Sequence, residues 1–236
     1  MTDLCFEENA EQECESLAKQ ALALVDVDGE PVVDALQTMA SLRLSQSRGV
    51  EAVAYALRTF LKMKAGCQAL ASLVGLREPE EGTPQAVELL ELESVQQLPG
   101  FEFRCQSAKL LLECASALRD STADENDREQ ECVEAALDVL GSLLAENDEV
   151  VEIWHLTGDA LSVTNDPSVE SVTHYWQRAL EMLGAVKKSL EQDAFEAEGE
   201  EEDEMQQQLE DISCQMEELS NKITTIRTES SGGMEE

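Results

Sequence analysis

Apolar residues return every three or four positions along almost the whole chain, the spacing that gathers them on one face of an α-helix. Runs of this kind cover residues 14–25, 33–46, 50–63, 67–76, 84–97, 101–118, 131–145, 149–163 and 168–190, and each predicts a helix. Short connectors divide them. Gly29-Glu30-Pro31 opens one helix and Glu78-Pro79 stops another. Thr83 and Pro84 supply an N-cap and a first-turn proline, and Leu98-Pro99-Gly100 separates the next pair.

Many short helices in one long chain call for a test of internal periodicity. Leu36, Leu70 and Arg104 are evenly spaced, as are Ala40, Val74 and Ala108, and as are Ala18, Ala52 and Ala86; the step is 34 residues each time. Trp154 then follows Arg104 by 50, and Ala136 follows Ala86 by 50. One polar, acidic insertion near 120–131 accounts for both displacements and predicts a solvated loop. A helix–turn–helix unit of this length predicts an all-α, tetratricopeptide-like helical-hairpin solenoid over residues 1–191. The fullest copy reads Trp154, Thr157, Gly158, Leu161, then Val172, Trp176 and Ala179. Other copies read Leu36, Met39, Ala40 with Ala52, Ala56, Thr59; Leu70, Leu73, Val74 with Ala86, Leu90, Glu93; and Arg104, Ser107, Ala108, Leu111 with Ala136, Leu140, Leu143. In this register Trp154 fills the seam between units and should be buried.

The pattern changes after residue 191. Residues 192–204 are dominated by Asp and Glu, and like charges at helical spacing repel. Met205, Leu209, Ile212, Met216, Leu219 and Ile223 then form one apolar stripe. A helix over 205–227 either caps the open edge of the last repeat or pairs with a second copy. Residues 228–236 are small and polar and predict a disordered tail.

Composition narrows the function. Acids outnumber Lys plus Arg by 51 to 16, a formal charge of -35, more than solubility requires. Such a field repels nucleic acid and anionic membranes and attracts cationic partners. Seven cysteines, without a C-x-x-C, read as reduced thiols of a cytoplasmic or nuclear protein. No secretory segment follows Met1, and no apolar run is long enough to span a bilayer. His155 and His174 are the only histidines, and neither joins a cluster of metal-ligand spacing. No glycine-rich phosphate cradle occurs. The expectation is therefore a binding protein with no catalytic residues, no metal and no cofactor.

Two stretches carry a closer resemblance: FEFRCQSAKLLLE at 101–113, and ALDVLGSLLAENDEVVEIWHLTGDAL at 136–161, above all the Trp154 helix after Asp148. They resemble the tetratricopeptide assembly chaperones dedicated to the fourth large-subunit ribosomal protein. The likeness extends over roughly residues 10–190 and is strong over 100–183. It implies a chaperone that captures a newly made basic client by a long client loop, shields it, and delivers it to nuclear pre-ribosomes. It also implies residence in cytoplasm and nucleus, with import machinery reached through the client. Thr157-Gly158 departs from the Leu-Gly of the repeat pattern, and the acidic insertion is a second departure.

First helices of such units line a concave face. The registers place Asp34, Gln37 and Ser41, then Gln68, Ala71 and Glu78, then Glu102, Cys105, Gln106, Lys109 and Leu112, then Glu152, His155 and Asp159 on that face, with Glu113 adjacent. Asp34, Glu78, Glu102, Glu113, Glu152, His155 and Asp159 are the candidate client contacts. A single lysine among them weighs against a clamp for an acidic peptide tail. A non-catalytic scaffold subunit of a larger complex is the other reading.

Overall fold

In a computed structural model of the protein, residues 2–24, 32–75, 99–119, 123–194 and 200–232 are described, with side chains over 12–24, 32–66, 99–119, 127–192 and 205–229. The described residues form eight helices and no strand: α1 (Thr2–Leu22), α2 (Val33–Ser45), α3 (Gly49–Gly75), α4 (Phe101–Leu118), α5 (Ala123–Glu146), α6 (Val151–Ser162), α7 (Val169–Ala194) and α8 (Glu200–Gly232). Consecutive helices pack as hairpins, the arrangement of a helical-hairpin array. The chain divides into two compact units at Val139/Leu140, inside α5.

In the first unit, α2 passes to α3 through three residues. Ser47 holds the left-handed conformation at φ 57. Its N–H bonds to Leu44 O at 2.8 Å, and the Arg48 N–H bonds to Arg43 O at 2.8 Å. This is the Schellman closure, which satisfies the last carbonyls of α2. Gly49 then starts α3 where a Cβ would stand 2.9 Å from Ala117 Cβ, so the missing side chain lets α3 approach α4. Met39, Ala40, Ala52 and Ala108 are wholly buried, and Ala56 and Thr59 nearly so.

Buried Arg43 ties α1 to α2. Its Nη2 donates to Glu15 Oε1 at 2.9 Å and its Nη1 to Gln46 Oε1 at 2.6 Å. The Arg43 guanidinium, helped by Lys19, pulls the Glu15 carboxyl down from 4.5 to about 2. A depressed folded value means the contact stabilises above the unfolded value and is lost as pH falls through the folded one. Amide-exchange protection of residues 12–22 is therefore expected to drop between about pH 4.5 and 2. In Glu15→Gln that drop should be absent. Parallel loss in both proteins would show that this pair does not hold α1.

The second unit is built on α6, α7 and α8. Val172, Trp176, Ala179 and Leu183 of α7 form one buried cluster with Leu219 and Ile223 of α8. Val151, Trp154, Leu161, Ile212, Met216 and Ile226 pack around it. Gly158 lies directly under Trp176: a Cβ there would meet the indole Cδ1 at 2.3 Å. The seam is therefore filled by Trp176, not by Trp154 as the repeat register suggests. Trp154 is half-buried, its Nε1 donating to Asp148 O at 2.8 Å and its ring tilted against Tyr175 at 5.5 Å.

Three further differences from the sequence reading concern helix bounds. Residues 50–63 and 67–76 are not two helices but the single α3. The junction holds Lys64, Ala65 and Gly66, with no proline or N-cap, and one mid-helix glycine costs only about 1 kcal/mol. The acidic stretch near 120–131 is not a loop beyond residue 122, since α5 begins at Ala123. Its acids lie in the first turns, where the helix dipole favours them. Gln37 of α2 bonds directly to α4, and of the unit expected at 67–97 only residues 67–75, inside α3, are described. Its helix at 84–97 lies outside the described residues, as does most of the acidic segment 192–204. At the other end α8 runs on to Gly232, past the 228 boundary given to the tail.

The first helices α2 and α4 begin 68 residues apart, twice the 34-residue step. Gln37 donates to Phe103 O at 3.1 Å and Ser107 Oγ at 2.9 Å, straddling Cys105, its counterpart 68 positions on.

Candidate functional site

The first unit carries an open groove between α2 and α4. Its volume is about 560 Å³. Gln37, Thr38, Ser41, Leu42 and Ser45 line it from α2, Gln106, Lys109, Leu110 and Glu113 from α4, and Cys14 from α1. Four of these, Gln37, Ser41, Gln106 and Lys109, belong to the face that the repeat register marks, and Glu113 is the residue placed beside it. The Gln37 amide is held by its two bonds to α4, so the wall is fixed before any ligand arrives. Five of the ten lining residues, Gln37, Thr38, Ser41, Ser45 and Gln106, carry amides or hydroxyls, groups that can bond a peptide backbone. From Gln106 to Glu113 the wall spans about 10 Å at 1.5 Å per helical residue, room for about three residues of extended chain.

Asp34 and Glu102 are exposed, each in the first turn of its helix. Glu102 accepts from Gln106 Nε2 at 3.0 Å, which links it to the lining. Glu113 is exposed at the far end. Asp34, Glu102 and Glu152 share a second role. Each is the second residue of a helix whose N-cap, Val32, Gly100 or Val150, makes no side-chain capping bond. A carboxylate there opposes the positive end of the helix dipole, which contributes about 0.3–1 kcal/mol without any ligand. Glu78 lies outside the described residues.

His155 and Asp159, in the second unit, face this chain's own C-terminal helix. The Lys222 ammonium donates to Asp159 Oδ1 and Oδ2 at 3.0 and 3.1 Å, sits 2.9 Å from His155 Nε2, and pairs with Glu218 Oε1 at 2.9 Å. Its three N–H donors are all engaged. Asp159 Oδ1 also accepts from Trp176 Nε1 at 2.9 Å. Burial works to lower Lys222, but Glu218 and Asp159 outweigh it and hold the ammonium above the ordinary lysine range. Lys222, through its hydrogen bond, holds Glu218 below the usual carboxylate range. Sequence reading missed Lys222. Its one signal is a cation set between Leu219 and Ile223 in the apolar stripe.

Among the described residues no three His, Cys, Asp or Glu are grouped to hold a metal ion, and no described helix is long and apolar enough to cross a membrane. Cys114 and Cys132 are buried, and desolvation pushes both thiols up to about 12, which removes their thiolate chemistry at neutral pH.

No protein-family model matches the chain. It is similar to a Schizosaccharomyces pombe protein described as a probable assembly chaperone of rpl4, with 28% identity over 158 residues. The match covers 67% of this chain and 34% of that protein, so the chain spans about a third of the length of the relative it matches.

Proposed function

We propose that this protein is a dedicated chaperone that holds a basic segment of a newly made large-subunit ribosomal protein, the fourth, and releases it to nuclear pre-ribosomes. The observation that carries the reading is the preformed groove between α2 and α4, lined by a mix of polar and apolar side chains with Glu113 among them, and with Asp34 and Glu102 exposed in the first turns of the same two helices. The likeness to a protein described as a probable assembly chaperone of rpl4 supports the client class. The hairpins are read as tetratricopeptide-like because Thr157, Val172, Trp176 and Ala179 are buried at the signature spacing, with Gly158 under Trp176. A ribosomal protein off the ribosome has lost its RNA counter-charge. The formal charge of -35 replaces it and steers encounter, while the groove supplies geometry. Ribosomal RNA then outcompetes the acids, and the client leaves. Glu152, His155 and Asp159 are the candidate contacts carried by the second unit.

Reversing Asp34, Glu102 and Glu113 to lysine is expected to slow association with that ribosomal protein by about tenfold at low salt and to weaken affinity. Reversing Glu210, Glu217 and Glu229, exposed on α8, makes the same +6 change in net charge and should do much less. Rates and dissociation constants at two salt concentrations decide it, since exposed charges are screened beyond about 8 Å at physiological ionic strength. Equal losses would mean that net charge, not the groove, selects the client.

A further inference from the structure

The α6 face holding His155 and Asp159 is the counterpart, 50 residues on, of Cys105 and Lys109, and these in turn answer to Gln37 and Ser41. In the first unit Gln37, Ser41 and Lys109 line an open groove. In the second unit α8 packs on α7 and presents a cation to that face through Lys222. The Lys222 ammonium is coordinated by the Asp159 carboxylate, His155 Nε2 and Glu218, with the Trp176 ring centroid 6.0 Å away. A carboxylate, an imidazole nitrogen and an aromatic ring together are what a lysine or arginine of a bound polypeptide would seek.

We infer that Lys222 is an internal stand-in for a client cation, masking Asp159 until a basic segment takes its place; this rests on the function proposed above. The exchange does not require α8 to leave. Leu219 is wholly buried and Ile223 nearly so, which anchors the helix on α7. Only the flexible four-carbon Lys222 stem has to swing, and that side chain is already 30% exposed. The displaced ammonium keeps a partner, because Glu218 is four residues away on the same helix and 55% exposed. Asp159 in turn keeps its bond from Trp176. Neither charge is left bare at any stage, so the swap is cheap enough for one arginine to drive.

The test uses the full chain and a twelve-residue peptide with arginine at every third position and glycine or serine between. Lys222→Gln should bind it about fivefold more tightly than the parent, the worth of one partly exposed ion pair no longer contested. Lys222→Arg should bind like the parent. Lys188→Gln makes the same charge change at an exposed position and should alter affinity little. Adding Asp159→Asn to Lys222→Gln should erase the gain. If Lys222→Gln binds no better than Lys188→Gln while the parent binds measurably, the mask is wrong and the groove reading stands. If none of the proteins binds the peptide, the chaperone reading fails and the mask with it.

Discussion

Trp176→Ala is expected to destabilise the second unit by about 3–5 kcal/mol, the usual cost of removing a buried aromatic side chain. Three losses combine. The indole is 4% exposed at the centre of the α7–α8 cluster. It fills the space over Gly158, so its removal leaves a void against backbone that cannot collapse inward. Its Nε1 also donates to Asp159 Oδ1, which would lose that bond and keep the one from Lys222. Trp154→Ala should cost less, about 1–2 kcal/mol, because that ring is half-buried and contributes one hydrogen bond and edge contacts to Tyr175 and His174. Urea denaturation followed by far-UV circular dichroism compares the two. A larger loss from Trp154 would restore it as the seam residue and reverse the assignment made from burial.

The second large effect concerns α8. Replacing Leu219 and Ile223 together by aspartate puts two carboxylates into the cluster that holds α8 on α7. Each lost apolar side chain is worth about 1.5–3 kcal/mol, and burying an unpaired carboxylate costs more still, so α8 should detach. Val172, Trp176, Ala179 and Leu183 would then face water. Broadened unfolding and concentration-dependent association are expected, read by calorimetry and by light scattering. If the stripe instead served a dimer, the parent would be the dimer and the variant a well-folded monomer. Light scattering on the parent separates these outcomes before the variant is made.

Much of this fold was legible in the sequence because helical periodicity is local. The helices at 33–46, 101–118, 149–163 and 168–190 all appear near their expected bounds. The paired small residues Ala40 and Ala108 were correctly placed at helix contacts, and both are fully buried. Of the 34-residue step, the described first helices α2 and α4 show a spacing of 68, and the helix expected at 84–97 lies outside the described residues. The continuation of α3 was not legible because nothing at Lys64–Gly66 marks either an end or a continuation.

The site was legible to a smaller extent. Gln37, Ser41, Gln106 and Lys109 could be placed on one face because a helix fixes which residues share it. What that face meets is a long-range fact. Lys222 reaches Asp159 across 63 residues and His155 across 67, and no local pattern encodes such a pairing. Asp34, Glu102 and Glu152 satisfy a helix-end requirement, so their presence alone does not announce a ligand.

The placement of the aromatic residues has an optical consequence. The chain has two tryptophans, and both Trp154 and Trp176 belong to the second unit. Indole emission therefore watches α6, α7 and α8 and is blind to the helices before Leu140. The two rings also sit in different surroundings, one half-exposed with Arg178 5.9 Å from its centroid, the other enclosed with a carboxylate on its nitrogen. The two should emit at different wavelengths, the enclosed ring to the blue. A blue component that shifts while ellipticity holds would report the α8 contact loosening alone, and a peptide titration could be followed through that component without attaching any dye.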